Sequence, residues 1–235
     1  MHDSRLNEWF VPKFGPLRFR VAVGMLFLPY TGMCVSFTVI GSLLADDILW
    51  DRLIAIVLIY LLALGVSAHA LDSIGSKRKP WGNVFSNRAL LAIAITALVI
   101  AYTIGIYYIV LYVPFLAVIA VLEGFFLFAY NVELFNGRFH NNLFFSISWG
   151  GLPLLAGYVM QTNGISIPAL IASAITALVA YAEIRVSRPY KELKRSSKED
   201  NNNKEKMLLY EKMLKLLSMG SIGVAVSMII LRALV

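Results

Sequence analysis

Cysteine, histidine and charge are all scarce in this chain of 235 residues. Its one cysteine, Cys34, excludes an internal disulfide, and three histidines are too few for a histidine-box metal site. Only 15% of the residues are charged, against about 25% in an ordinary soluble domain. The 59% of hydrophobic residues excludes a disordered chain and argues against a soluble enzyme. Since the basic residues lie between apolar segments, the net charge of +7 does not indicate a nucleic-acid partner.

The apolar residues form runs long enough to cross a membrane, which takes about 20 residues per helix. Two charge-free runs, 21–45 and 53–71, fit one crossing each. The runs 89–130 and 141–182 are too long for one, so we expect turns at 103–107 around Gly105 and at 161–164. The sequence thus predicts one all-α membrane domain of about seven transmembrane helices, with a polar cytoplasmic loop over 185–208. The predicted helices are 21–45, 50–71, 89–104, 108–130, 143–160, 165–184 and 209–231.

The distribution of basic residues predicts the orientation, because Lys and Arg are retained on the cytoplasmic side of short loops. With seven helices, all but two of the 21 Lys and Arg residues fall on the side of the N-terminus. The exceptions are Arg52 and Arg232, and three aspartates lie near the first of them. We therefore expect a cytoplasmic N-terminus. Because the N-terminal segment is unlike a transit peptide, we expect a prokaryotic plasma membrane.

Glu123 is the only carboxylate in the long apolar run 89–130. A charged Asp at the centre of a membrane helix costs about 2.5–3.5 kcal/mol on insertion scales, so such a group needs a reason. One interpretation makes Glu123 a proton donor or the polar wall of a pocket. The other makes it a structural carboxyl, hydrogen-bonded to a Ser, Thr or Tyr of a neighbouring helix.

Three polar groups occur at the predicted cytoplasmic ends of helices. His69 and Asp72 share a helix face, since they are three residues apart, and a run of basic residues follows them. That run either retains the loop inside and attracts anionic lipid, or binds phosphate beside a divalent ion held by Asp72. A second group precedes a glycine-rich and proline-containing helix, and a third follows the sixth predicted helix. The basic run is Lys77, Arg78 and Lys79, the second group includes Tyr130, Arg138 and Asn142, and the third includes Glu183 and Arg188.

The order of these groups resembles the UbiA-type superfamily of intramembrane prenyltransferases, over roughly residues 18–191. Gly150, Pro153, Gly157 and Tyr158 match the Gly-x-x-Pro-x-x-x-Gly-Tyr segment of that family. The aspartate-rich segment of the family has its counterpart at 68–76, where only Asp72 retains a carboxylate. A second D-x-x-x-D segment of the family corresponds to Glu183 and Ser187 here.

The resemblance implies transfer of a prenyl group from a prenyl diphosphate to an acceptor, inside a helix bundle that binds an isoprenoid lipid. It implies a Mg²⁺ ion held by Asp72 and Glu183, because magnesium prefers oxygen ligands and neutralises a diphosphate leaving group. The candidate catalytic residues are Asp72, Glu183, His69 and Glu123. The candidate residues for the diphosphate or head group are Lys77, Arg78, Lys79, Arg138, Arg188, Tyr130 and Asn142.

Two alternatives remain open on the sequence alone. Heterodimeric carotenoid cyclases look similar in size and helix number, and they protonate a polyene with buried carboxylates, a role that Glu123 could take. A non-catalytic lipid-binding or scaffold subunit would explain the missing aspartates and the short chain with the fewest assumptions.

Overall fold

The computed structural model describes residues 5–75, 81–131, 135–195 and 201–234. Within these ranges the chain is helical and contains no strand. We number eight helices in chain order, and two short 3₁₀ turns lie at Arg5–Asn7 and Phe135–Gly137. The helices are α1 (Leu17–Met25), α2 (Leu28–Leu43), α3 (Trp50–Gly75), α4 (Asn87–Leu111), α5 (Leu116–Asn131), α6 (Asn142–Thr162), α7 (Ile167–Arg195) and α8 (Asn201–Leu234).

The expectation of a multi-pass, all-α membrane protein is confirmed. Five helices, α3, α4, α6, α7 and α8, are long and apolar enough to cross a bilayer, and α1 with α2 forms a sixth candidate. Helix α5 is also apolar, but it is shorter than these five helices. Side chains such as Val110, Val121 and Leu178 are more than two thirds exposed, as expected of a surface that faces lipid.

The first predicted helix, 21–45, is broken in the structure. The axes of α1 and α2 differ by 44°, and Phe27 between them has a left-handed backbone with φ of 45°. Thr31 donates a hydrogen bond from its hydroxyl to the carbonyl of Leu26, which stabilises the start of α2 after the break. The bend places Phe27 and Tyr30 side by side, with stacked rings 4.7 Å apart.

Two predicted boundaries are wrong. Helix α4 continues through Gly105 to Leu111, and the chain turns at 112–115 instead, around Pro114. Proline has no N–H to donate and disfavours a helical residue before it, whereas Gly105 continues the helix and faces Ile59 at an ordinary packing distance. The predicted polar loop 185–208 is also wrong, because α7 extends to Arg195 and α8 begins at Asn201. Charged residues such as Lys and Glu are good helix formers, so polarity did not mark a loop here.

Both α3 and α6 contain a stretch of π-helix, at Leu61–Ala68 and Ile147–Gly151. Such widened turns are rare, and they occur often at functional sites. The first stretch ends immediately before His69, and the second contains Ser148 and Trp149. The first π-helical stretch thus leads into His69, and the second carries Ser148 and Trp149.

Backbone contact between α2 and α6 holds the centre of the bundle. A Cβ atom on Gly41 would overlap the carbonyl oxygen of Leu154, and one on Gly157 would overlap that of Thr38. The Ser42 hydroxyl also donates a hydrogen bond to the carbonyl of Gly157, at 3.2 Å. Membrane helices associate through such close packing and interhelical hydrogen bonds. The glycines of the Gly-x-x-Pro-x-x-x-Gly-Tyr segment thus serve close helix approach.

The two basic residues on the acidic side have structural roles as helix caps. Arg52 donates to the carbonyls of Met160 and Gln161 at the end of α6, both at 3.3 Å. Arg232 donates to the carbonyls of Leu43 at 3.1 Å and Ala45 at 2.8 Å, at the end of α2. The last carbonyls of a helix lack partners and carry partial negative charge, so a cation there is favourable.

We expect Gly41→Ala to destabilise the protein by about 2 kcal/mol or more, because the added methyl group forces α2 away from α6. Unfolding can be followed in bicelles by maleimide labelling of Cys34, which is fully buried. The matched control is Gly220→Ala on α8, where a Cβ meets no other atom within 4 Å. Equal unfolding temperatures for the two variants would contradict the packing described here.

Candidate functional site

A small chamber lies at the end of the bundle that contains the start of α2 and the end of α7. Its walls are the N-terminal segment, the start of α2 and the side chains of α7 from Glu183 to Lys191, so we call it the Glu183 chamber. Its volume is about 20 Å³, which is room for about one water molecule. The residues that line the chamber include Arg5, Phe27, Tyr30, Glu183, Ser187 and Lys191.

Glu183 is the most unusual group in the chamber. Its side chain is completely buried, and neither carboxyl oxygen has a hydrogen-bond partner. Lys191, two turns further along α7, is close enough to act on it electrostatically. A buried carboxyl without hydrogen bonds is costly, and native structures rarely leave such groups unsatisfied. The arrangement therefore indicates that a water molecule or a ligand completes the site.

Glu183 is not alone among the described residues, because other buried polar atoms near this end of the bundle also lack a hydrogen-bond partner. The Tyr30 hydroxyl, His69 Nε2 and Asn142 Oδ1 are buried and have no hydrogen-bond partner. The His69 ring packs between aromatic groups, with its centroid 5.8 Å from Phe27 and 5.3 Å from Trp149. Tyr30 and His69 thus bring unsatisfied polar atoms from two helices to one aromatic cluster, and Asn142 lies at the start of a third helix.

Cationic side chains lie against the same aromatic rings. Lys191 Nζ is 5.0 Å from the centroid of Phe27 and 5.2 Å from that of Tyr30. The guanidinium of Arg5 lies 5.5 Å from the Phe27 centroid. These distances are within the range of cation–π attraction. The chamber therefore combines positive charge, aromatic faces and the unpartnered carboxyl of Glu183.

The expected magnesium ligands lie in different surroundings. Asp72 is exposed on α3, whereas Glu183 is fully buried on α7. Asp72 and Arg188 both lie close enough to Tyr130 to act electrostatically on its hydroxyl. Within the described ranges, no three His, Cys, Asp or Glu side chains converge on a point where a metal ion could bind. A magnesium ion held by both carboxylates therefore stays a prediction.

The remaining predicted head-group residues are spread along the same end. Tyr130 stacks on His140 with ring centroids 4.2 Å apart, and Tyr130 also acts electrostatically on Tyr30 in the chamber. Arg138 is exposed, and Asn142 begins α6. Lys77, Arg78 and Lys79 lie outside the described residues.

Glu123 lies outside the Glu183 chamber. It accepts hydrogen bonds from the Tyr60 hydroxyl at 3.0 Å and from the Ser148 hydroxyl at 2.8 Å. The structural interpretation given above, a carboxyl bonded to hydroxyls of neighbouring helices, describes this geometry. Glu123 also lines a second cavity, which is separate from the Glu183 chamber.

Sequence reasoning missed a polar contact that closes the chamber, which we call the N-terminal clasp. Glu8, only 6% exposed, forms a 2.8 Å ion pair with Lys194 and accepts a 2.8 Å hydrogen bond from Tyr190. Tyr190 contacts Glu211 of α8 as well, at 3.3 Å. No sequence pattern indicates the clasp, because Glu8 is 186 residues from Lys194 and both Tyr190 and Lys194 lie in the stretch predicted as a polar loop.

Comparison of the chain with family models, curated proteins and solved structures finds no match.

We expect Glu8→Gln to loosen the N-terminal segment, because hydrogen bonds to a charged group contribute about 1.5–3 kcal/mol. Amide hydrogen exchange in residues 5–16 should become about tenfold faster or more, while exchange in the centres of α2 and α6 stays unchanged. Glu192→Gln is the matched control, since Glu192 is exposed on α7. The clasp is refuted if both variants exchange at the rate of the original protein.

Proposed function

We propose that the protein crosses the membrane seven times with its N-terminus in the cytoplasm, in a prokaryotic plasma membrane. Helix α5 has 16 residues, which at about 1.5 Å per residue reach about 24 Å, enough for a crossing in a locally thinned bilayer. Arg232 near the end of α8 meets the end of α2, and Glu211 near the start of α8 meets the N-terminal clasp. Both contacts agree with α8 as a seventh crossing.

We propose that the protein binds a prenyl diphosphate at the Glu183 chamber and transfers the prenyl group to an acceptor. The observation that carries this proposal is the fully buried Glu183 carboxyl, unpartnered and beside Lys191 and the aromatic rings. The cations Lys191 and Arg5 favour a ligand that is anionic at one end, and the aromatic rings favour one that is apolar at the other. A prenyl diphosphate meets both requirements, and it also agrees with the resemblance to the UbiA-type superfamily.

In this proposal the cations hold the diphosphate. Lys191 and Arg5 line the chamber, and Arg188 lies near Tyr130 at the same end of the bundle. Charge-assisted hydrogen bonds to phosphate oxygens are stronger than neutral ones, and Arg can make two at once. Cations that neutralise the diphosphate make it a better leaving group.

The aromatic rings and Glu183 serve the transfer itself. The bond between the allylic carbon and the diphosphate oxygen breaks, and its electron pair leaves with the diphosphate. The faces of Phe27, Tyr30 and Trp149 stabilise the positive charge left on the allylic carbon. The acceptor then forms a bond to that carbon and loses a proton, which the Glu183 carboxylate takes up.

A prenyl diphosphate is larger than the chamber in its present form, so the N-terminal segment must move for it to bind. The N-terminal clasp is the contact that holds this segment against α7 and α8. Closure of the segment after binding would exclude water, which would otherwise capture the allylic cation.

A non-catalytic lipid-binding subunit is the second candidate. Two observations favour it: Asp72 is exposed, and the described part of the chain brings no three metal-binding side chains together. Such a protein would bind the same lipid at the same chamber and would leave the diphosphate intact. The two candidates therefore differ in turnover and agree in binding.

We expect the protein in lipid nanodiscs to bind farnesyl diphosphate. Lys191→Ala should weaken that binding about tenfold or more, because it removes a charge-assisted contact. The matched control is Lys212→Ala, an exposed lysine of α8, which should leave binding unchanged. Binding is measured with radiolabelled farnesyl diphosphate, with and without magnesium. Absence of binding under both conditions would refute the proposed function.

We expect Glu183→Gln to bind farnesyl diphosphate and to lose prenyl transfer, because an amide cannot take up the acceptor proton. Transfer is measured as diphosphate release in proteoliposomes that contain total membrane lipids as the source of acceptor. Binding without any release by the original protein would establish the lipid-binding subunit instead. Release by Glu183→Gln at the original rate would remove Glu183 from the chemistry.

The proposed topology predicts which cysteines an impermeant maleimide can reach. Asp47→Cys should be labelled only from outside intact cells and Lys212→Cys only in inverted vesicles, since both positions are exposed at opposite ends of the bundle. The original protein is the control, because its only cysteine, Cys34, is buried. Labelling of both positions from one side would contradict seven crossings.

A further inference from the structure

We infer that the cavity beside Glu123 binds the hydroxyl head of a neutral lipid. This cavity has a volume of about 70 Å³ and lies between α3, α4 and α5. It is separate from the Glu183 chamber, so this inference does not depend on the proposed prenyl transfer. We call it the Glu123 cavity.

The chemistry of the wall selects a neutral ligand. The side chains that line the cavity are apolar apart from Glu123 and the two tyrosines Tyr60 and Tyr102, and none of the described lining residues is basic. A phosphate or carboxylate head would find a carboxyl there and no cation, which disfavours it in an apolar site. An uncharged head is therefore the one that fits.

Glu123 is positioned to hold one further hydrogen-bonding group. Tyr60 donates to one carboxyl oxygen and Ser148 to the other. A carboxylate has about four lone-pair sites, so two fixed donors leave room for a third. The two bonds also fix the orientation of the carboxyl before a ligand arrives. A lipid hydroxyl that donates to Glu123 completes the set.

The cavity opens towards the surrounding lipid along α4. Tyr102 is 39% exposed and Ile106 is 54% exposed, and both line the cavity. Tyr102 lies across Gly124, where a Cβ atom would overlap its hydroxyl, so the glycine lets the ring lie across the rim. The volume admits a hydroxyl and the first carbons of a chain, and the rest of the chain extends into the bilayer. The occupant is therefore a single-chain lipid alcohol.

The test uses tritiated geranylgeraniol and the protein in lipid nanodiscs. We expect saturable binding of the alcohol. Its methyl ether, which has the same chain and no hydrogen to donate, should compete about tenfold more weakly, as expected for one lost charge-assisted hydrogen bond. Equal competition by the ether would overturn the inference. Stronger competition by menaquinone than by the alcohol would overturn it as well.

Two variants that leave Glu123 unchanged test whether the ligand binds in this cavity. Ala120→Phe fills the cavity and should abolish saturable binding, whereas Val118→Phe, also on α5 but half exposed and outside the lining, should leave it unchanged. Glu123→Leu should bring the affinity for the alcohol down to that for the ether. If Glu123→Leu does not fold, the pair of phenylalanine variants decides the question. Binding that survives Ala120→Phe would refute the site.

Discussion

The contact between α2 and α6 is the constraint on which the rest of the structure depends. Lipid gives membrane helices no hydrophobic drive to associate, so direct packing and hydrogen bonds must hold them together. Gly41 and Gly157 bring the two backbones into contact at the centre. That contact sets Tyr30 at the start of α2 against Trp149 of α6, with ring centroids 6.3 Å apart. Tyr30 in turn lines the Glu183 chamber.

Unsatisfied polar groups at one end of the bundle are the feature that ties the structure to a function. Membrane proteins satisfy polar groups internally, because the bilayer core offers no water. Glu123 obeys this rule with two hydroxyl donors, whereas Glu183 and His69 have buried atoms without partners. The contrast separates a carboxyl to which the fold supplies two donors from one to which it supplies none.

The sequence predicted the all-helical, multi-pass membrane fold well, because long apolar runs follow from the physics of the bilayer. The sequence predicts a turn around Gly105, whereas α4 continues past it and the chain turns around Pro114. It also identified Glu183 by resemblance but not Tyr30 or Lys191. Tyr30 and Lys191 meet through a contact between distant segments, and Tyr30 lies in an apolar run that carries no local signal. The π-helical stretches were likewise invisible to a pattern of apolar residues.

A structure determined by cryo-electron microscopy in nanodiscs with a non-hydrolysable farnesyl diphosphate analogue tests the central claim most directly. The account predicts diphosphate density against Lys191 and Arg188, a displaced N-terminal segment, and the first isoprene unit beside Tyr30 and Glu183. Density for the analogue elsewhere, or a closed chamber in which a water molecule satisfies Glu183 at saturating analogue, would contradict it.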